Sequence, residues 1–281
     1  MTNPTRRSLL MALAASPVAA AGIGAFPRAV RAQAASIGLV TPNVCLVAPE
    51  TTEGPFYFDP ALVRSDVTED KTGVPLELTL QVVDETCTPL ANARVDIWHC
   101  DAQGNYSGYA IQGSDGTLDT TGETFLRGTQ MTDDNGLVQF RTIYPGWYRG
   151  RTTHIHYKVF LDETTVLTSQ IFFPDALSEY LFLNVDPYMR DTTRDTVNAN
   201  DGIAQEAGHG AYAAIREQSD RYVAELVVGV DPTAVSQEGA APGGPGGEPP
   251  SGPPPGDTPD PDTGIGNNTG ASARLVPGVD G

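Results

Sequence analysis

Two histidines separated by one residue, His154-Ile155-His156, lie in a run of strand-forming residues from Thr153 to Leu161. Side chains alternate along a strand, so both imidazoles are expected on one face and Ile155 on the other. Such a pair can share a metal ion, but it also arises by chance, so the chemistry turns on further donors. Carboxylates, the usual third ligands, are distant in sequence, whereas tyrosines are close. Tyr148 sits in the loop Tyr144-Pro145-Gly146-Trp147-Tyr148-Arg149-Gly150-Arg151 that leads into the histidine strand, and Tyr106 sits in the turn Ala102-Gln103-Gly104-Asn105-Tyr106. A phenolate is a hard anionic oxygen donor that suits iron(III), and imidazole suits iron as well. Two phenolates and a hydroxide would neutralise the ion. Taken singly, each tyrosine reads more often as a half-buried aromatic with a satisfied hydroxyl, and the combination is what points to a metal. Two rival readings stand beside iron: copper or zinc on the histidines and a tyrosine for oxidase or hydrolase work, and a binding module without catalysis.

The elements that would position these groups are mainly β. Leu76, Leu78, Leu80 and Val82 alternate with Glu77, Thr79 and Gln81, the pattern of a strand with one buried face. After the turn-like Thr88 to Asn92, Val95, Ile97 and His99 alternate with Asp96 and Trp98, which predicts a second strand in the same sheet. Asp133-Asp134-Asn135-Gly136 is a turn signal ahead of Val138 and Phe140. Further strands are expected at Thr153 to Leu161, at Val166 to Phe173 and at Tyr222 to Val230, the last closing the sheet. Helical periodicity is weak and confined to Ala211 to Ser219. Many short strands with turn chemistry between them predict an all-β fold, a sandwich of mostly antiparallel strands with few short helices and long loops.

Several spaced motifs carry a family resemblance: Thr52-Glu53-Gly54-Pro55-Phe56-Tyr57, then Val95-Asp96-Ile97-Trp98 followed by Gly104-Asn105-Tyr106, then Tyr148, Arg151, His154-Ile155-His156 and Gln170. From about Pro49 to Phe173 the chain resembles the intradiol ring-cleavage dioxygenases, which include catechol 1,2-dioxygenase and protocatechuate 3,4-dioxygenase. The resemblance implies a β-sandwich and one iron(III) per chain, held by Tyr106, Tyr148, His154 and His156, with Tyr109 a neighbouring candidate for the first tyrosine. It also implies catechol-type substrates and O2, with ring opening between the hydroxylated carbons to a muconic-acid-type diacid. Tyr148 would leave as a base that takes a catechol proton. Arg151 would stabilise charge on the ring, Gln170 would hydrogen-bond at the metal, and Gly54, Pro55 and Tyr57 would line the substrate pocket. His99 is read as structural and His209 as exposed.

The chain departs from the better-known members in two places. Only Arg149 and Gly150 separate Tyr148 from Arg151, where those enzymes resemble one another in a longer loop, and no helical dimerisation pattern precedes Pro49. The resemblance is therefore to a secreted single-domain branch, with substrate substituents and oligomeric state left open. The short connection predicts a wide pocket that admits catechols substituted away from the hydroxyls.

Composition and charge bound the rest. Among 281 residues the formal net charge is -18, which argues against a nucleic-acid partner, since phosphate binding needs clustered Lys and Arg. Residues 1–35 read as an export signal of twin-arginine type: Arg6-Arg7, an apolar run from Leu9, and Ala-x-Ala sites at Ala32 and Ala34. That predicts a periplasmic, cell-envelope or extracellular protein with no transmembrane segment once mature. Residues 36–235 are expected to form the catalytic domain and 236–281, rich in Gly and Pro, a disordered acidic tail. Cys45, Cys87 and Cys100 permit one disulfide with one thiol left over, in any of three pairings.

Overall fold

The computed structural model describes residues 46–113 and 116–237. Contacts divide the chain into residues 1–43 and 44–281, and the described residues all belong to the second unit. The expected export signal and nearly all of the expected tail lie outside the described residues.

Eight strands form two four-stranded sheets. The first has the order β4-β1-β8-β7, from β1 (Pro75–Asp84), β4 (Leu137–Ile143), β7 (Ala214–Glu217) and β8 (Tyr222–Val230). The second has the order β3-β2-β5-β6, from β2 (Arg94–Trp98), β3 (Arg127–Met131), β5 (His154–Leu161) and β6 (Thr164–Phe172). Pairing is antiparallel except between β1 and β8. Alternation in the sequence becomes the core directly: Leu76, Leu78 and Leu80 from one sheet meet Val95, Ile97, Ile155 and Val159 from the other, all essentially without solvent contact. Each such aliphatic side chain stabilises the fold by about 1.5–3 kcal/mol through lost apolar hydration. The all-β sandwich expected from the sequence is the observed architecture.

Three expectations are corrected. β1 and β2 are not strands of one sheet. Both edges of β1 are taken, by β4 and β8, and the chain between Cys87 and Asn92 crosses to the second sheet, where β2 pairs with β3 and β5. Nor is 211–219 helical: Ala214–Glu217 is the edge strand β7, and β8 lies between it and β1 rather than closing the sheet. Helices form instead at α1 (Asp175–Asn184) and α2 (Gly202–Ala207), the second opened by the Asp201 carboxylate, which accepts from the Ile203 and Ala204 amides. Of the cysteines, Cys87 is disulfide-bonded and Cys100 is a free buried thiol. Cys45 lies outside the described residues. No helix of the described residues is long and apolar enough to cross a membrane.

The outward face of the second sheet is not solvent. Residues 49–64 run over it as a strap that meets the strands in their spatial order. At β6, Ser169 donates to the Pro49 carbonyl (2.9 Å) and Gln170 Nε2 to that of Thr52 (3.0 Å). At β5, Glu53 pairs with Lys158. At β2, the Tyr57 hydroxyl donates to Asp96 Oδ2 (2.9 Å), and at β3 the Arg64 amide donates to Thr129 O (3.0 Å).

Candidate metal centre

Under the strap, the odd and even positions of β5 have separate fates. Ile155, Tyr157 and Val159 enter the core, while His154, His156 and Lys158 face the strap. Register then selects the neighbours of His156: Trp98 on β2 and Gln170 on β6. The Trp98 ring stacks on the His156 ring at 4.8 Å with planes 11° apart. His154 Nδ1 lies 2.6 Å from the Thr152 carbonyl, a contact that requires the proton on Nδ1 and leaves Nε2 as a lone pair.

Two loops bring the tyrosines. The first is wound by Asp101, whose Oδ1 accepts from the Gln103 and Asn105 amides, each at 2.9 Å. The loops meet backbone to backbone, and glycine makes this possible on both sides. A Cβ on Gly104 (φ +88°) would stand 2.3 Å from the Trp147 carbonyl oxygen, and one on Gly146 would stand 2.4 Å from that of Asp101. Arg190 clamps the pair: its guanidinium lies over the Trp147 ring at 3.8 Å, with Nη1 donating to Gln103 O (2.9 Å) and Nη2 to Trp147 O (2.5 Å).

As a result, four donor atoms converge. Tyr148 Oη is 3.1 Å and Tyr106 Oη 3.4 Å from His154 Nε2; the two phenol oxygens are 3.5 Å apart, and His154 Nε2 is 3.1 Å from His156 Nε2. Metal–ligand bonds near 2 Å place neighbouring donors roughly 3 Å apart, so the set has the spacing of ligands that share one small cation. Tyr109 does not join it; its hydroxyl donates to the Tyr57 carbonyl at 3.0 Å. Burial strips hydration from all four groups. It raises Tyr106 well above the ordinary phenol range and pushes Tyr148 up to about 12, and it holds both imidazoles far below their usual value. Two neutral phenols and two neutral imidazoles are thus poised for a cation, which would favour the phenolates. Among the described residues no three His, Cys, Asp or Glu side chains gather into a metal site of their own, so the tyrosines are what complete this one. Hard oxygen beside imidazole nitrogen fits iron(III).

Arg151 and Gln170 stand together at the edge of the cluster. Both are buried, and Arg151 Nη2 donates to Gln170 Oε1 at 2.5 Å. A third residue, which sequence reasoning missed, completes the group: Asp201 Oδ2 accepts from Arg151 Nε (2.9 Å) and from the Thr152 amide (2.8 Å). Its only signal in the chain is an Asp ahead of a short helical run, which reads as a helix cap. Of the residues assigned to the substrate pocket, Gly54 packs on His156, where a Cβ would stand 3.4 Å from Cε1. Pro55 is half-buried beside it. Tyr57 has its hydroxyl turned to Asp96, and burial beside that carboxylate holds it strongly protonated. His99 is fully buried between Thr142 Oγ1 (2.7 Å) and the Cys100 carbonyl (2.8 Å), with burial lowering its pKa to about 4. His209 is exposed.

These features define a β-sandwich protein with a buried tyrosine–histidine donor cluster under one sheet. Residues 51–213 match the sequence model of the family described as Dioxygenase. A solved intradiol ring-cleavage dioxygenase from Tetranychus urticae superposes with a TM-score of 0.62 at 34% identity, over 69% of this chain and 98% of that one. Catechol 1,2-dioxygenase of Acinetobacter baylyi is 34% identical over 149 residues, which are 44% of this chain and 45% of that protein. The protocatechuate 3,4-dioxygenase beta chain of Burkholderia cepacia is 35% identical over 136 residues, 43% of this chain and 54% of that one. The chain spans about half the length of these curated relatives. It belongs to the intradiol ring-cleavage dioxygenase family.

Proposed function

We propose that this chain is a non-haem iron(III) dioxygenase that inserts O2 into catechol-type aromatics between the hydroxylated carbons, yielding muconic-acid-type diacids. One observation carries the reading: Tyr106, Tyr148, His154 and His156 converge to within 3.1–3.5 Å along the chain of contacts through His154 Nε2, in a chain of this family. These four residues would hold one iron(III) per chain, and the bound ion would supply a Lewis acid that takes up the catechol oxygens and draws electron density from the ring.

The remaining steps belong to the protein. Tyr148 is the least buried of the four, so an incoming catechol meets it first, and its Oη is the base that takes a hydroxyl proton. Arg151, always cationic, stabilises negative charge that develops on the ring and its oxygens. Gln170, held by Arg151 and by the Thr52 carbonyl, keeps a fixed amide opposite His156. Gly54 and Pro55 of the strap form a wall against the substrate, while the two-residue connection from Tyr148 to Arg151 leaves the other side open. A Cβ on Gly150 would touch nothing within 4 Å. Catechols with substituents away from the hydroxyls therefore fit with modest discrimination. The test is the visible spectrum of iron-loaded protein followed by oxygen uptake on a graded panel of catechols with product identification. A red-brown protein that gives muconic-type acids is expected. A colourless protein, or a hydroxymuconic semialdehyde product, would overturn the reading.

We also propose that the chain is an exported, secreted-branch member of the family, with residues 1–35 a twin-arginine signal, 36–235 the catalytic domain and 236–281 a solvated tail. Its support is the Arg6-Arg7 pair followed by a mild apolar run. Changing both arginines to lysine should hold the precursor in the cytoplasm, and normal appearance of mature protein outside it would rule out that route.

A further inference from the structure

On the dioxygenase reading given above, we propose that Asp201 is the positioning residue of Arg151, aiming the guanidinium while also starting helix α2. The carboxylate is buried and accepts four hydrogen bonds, divided between its oxygens. Oδ1 takes the amides of Ile203 (2.9 Å) and Ala204 (3.2 Å), the first turn of α2. Oδ2 takes Arg151 Nε (2.9 Å) and the Thr152 amide (2.8 Å). Three of these donors are backbone groups, so the oxygen that receives Arg151 is fixed by the main chain on both sides.

The consequence for Arg151 is geometric. A guanidinium is planar and its donors form a rigid fork, so fixing two nitrogens fixes the third. Asp201 fixes Nε, and Gln170, itself tied to the Thr52 carbonyl, fixes Nη2. Among the described residues Nη1 has no partner, which makes it the nitrogen available to a bound ligand. The ion pair also settles the charge: both side chains are nearly devoid of solvent contact, at 4% and 1% exposure, and a lone guanidinium there would be costly. Asp201 thus joins helix α2 to a cation beside the donor cluster.

Asp201→Asn separates the two roles. Asparagine caps helices about as well as aspartate. With its amide oxygen on Ile203 and Ala204, however, its NH2 would confront the Nε–H of Arg151 and the amide of Thr152, donor against donor. Asp201→Ser provides a second variant that keeps a capping oxygen but is too short to reach Arg151. The measurements are iron per chain, thermal midpoint, catechol Kd under argon, and kcat, for wild type, each Asp201 variant, Arg151→Ala, and each double variant. We expect Asp201→Asn and Asp201→Ser to retain iron and colour, to change Kd by less than about threefold, and to lower kcat by roughly tenfold to a hundredfold, the loss that misplacement of a reacting-site group by about 1 Å brings. In the Arg151→Ala background neither should lower kcat further, because the residue acts through a side chain already removed. Losses that multiply in the double variants, or that follow iron content, would overturn the assignment and leave Asp201 a helix cap. Wild-type protein that binds catechol but cleaves none overturns the dioxygenase reading, and with it a role defined by turnover. Wild-type protein that neither binds nor cleaves catechol overturns the dioxygenase reading, and this inference with it.

Discussion

The two sheets share one alternation and put it to different use. In both, every second residue enters the common core. On the first sheet part of the opposite face meets water: Arg221 pairs with Glu77 and Arg216 with Glu225 in partly exposed ion pairs. On the second they meet the strap of residues 49–64 and the tyrosine loops, so Asp96, Lys158, Gln170, His154 and His156 are polar yet nearly devoid of solvent contact. A buried polar group is tolerated only when partnered, and the partners are present: Lys158 with Glu53, and Asp96 with Arg94, Thr129 and Tyr57. The lesson is that a roof over an ordinary amphipathic sheet converts its solvent face into a desolvated site, without any change in the strand pattern beneath.

Replacing residues in the roofed cluster should break the contrast most severely. His154→Ala, His156→Ala or Tyr106→Phe should each remove iron and the visible band and lower turnover by more than about a thousandfold, since an opened ligand set loses both metal and chemistry. Metal analysis of the purified variants decides it; retention of one iron per chain with all three donors removed would end the assignment. A smaller effect sharpens the comparison through ion pairs alone. Glu53→Gln leaves Lys158 buried without its counter-charge and should cost about 3–5 kcal/mol in chemical denaturation. Arg221→Ala, on the open sheet, should leave the denaturation midpoint unchanged, because exposed pairs are screened by solvent. Equal responses from the two variants would show that the strap does not exclude water.

How much of this was legible in the chain depends on what kind of pattern encodes it. β1 and β2 announce themselves by alternation, because a half-buried strand repeats every two residues, and β4, β5, β6 and β8 by strand-forming runs between turn signals. β3 announces itself by neither: in Arg127-Gly128-Thr129-Gln130-Met131 the core-side places are held by Gly128 and Gln130, while Arg127, paired with Trp98, faces the strap and is buried against Phe58, with burial lowering its pKa to about 10. The placement of β1 and β2 in one sheet failed because alternation reports faces and not partners. The gathering of His154, His156 and both tyrosines rests on local motifs and was readable from them. Asp201 and Arg190 were not, as each reaches the centre from a distant loop by contacts that leave no periodic trace.

The strand register sets a rule of parity. Along β5 the donors occupy even places and the core residues odd ones, so inserting or deleting a single residue ahead of His154 in register with β2 and β6 would turn Ile155 and Tyr157 toward the tyrosines and drive the imidazoles into the apolar interior. Only changes of two residues preserve the sense of the strand, and even these would carry Lys158 or Thr152 into a ligand's place. The connection just before it obeys no such rule. Arg149 and Gly150 lie outside any ladder, and Gly150 faces open space, so length can be added there without disturbing a single cross-strand pair. Heritable variation in this scaffold has a frozen segment and a freer one seated side by side, and the freer one runs directly into Arg151.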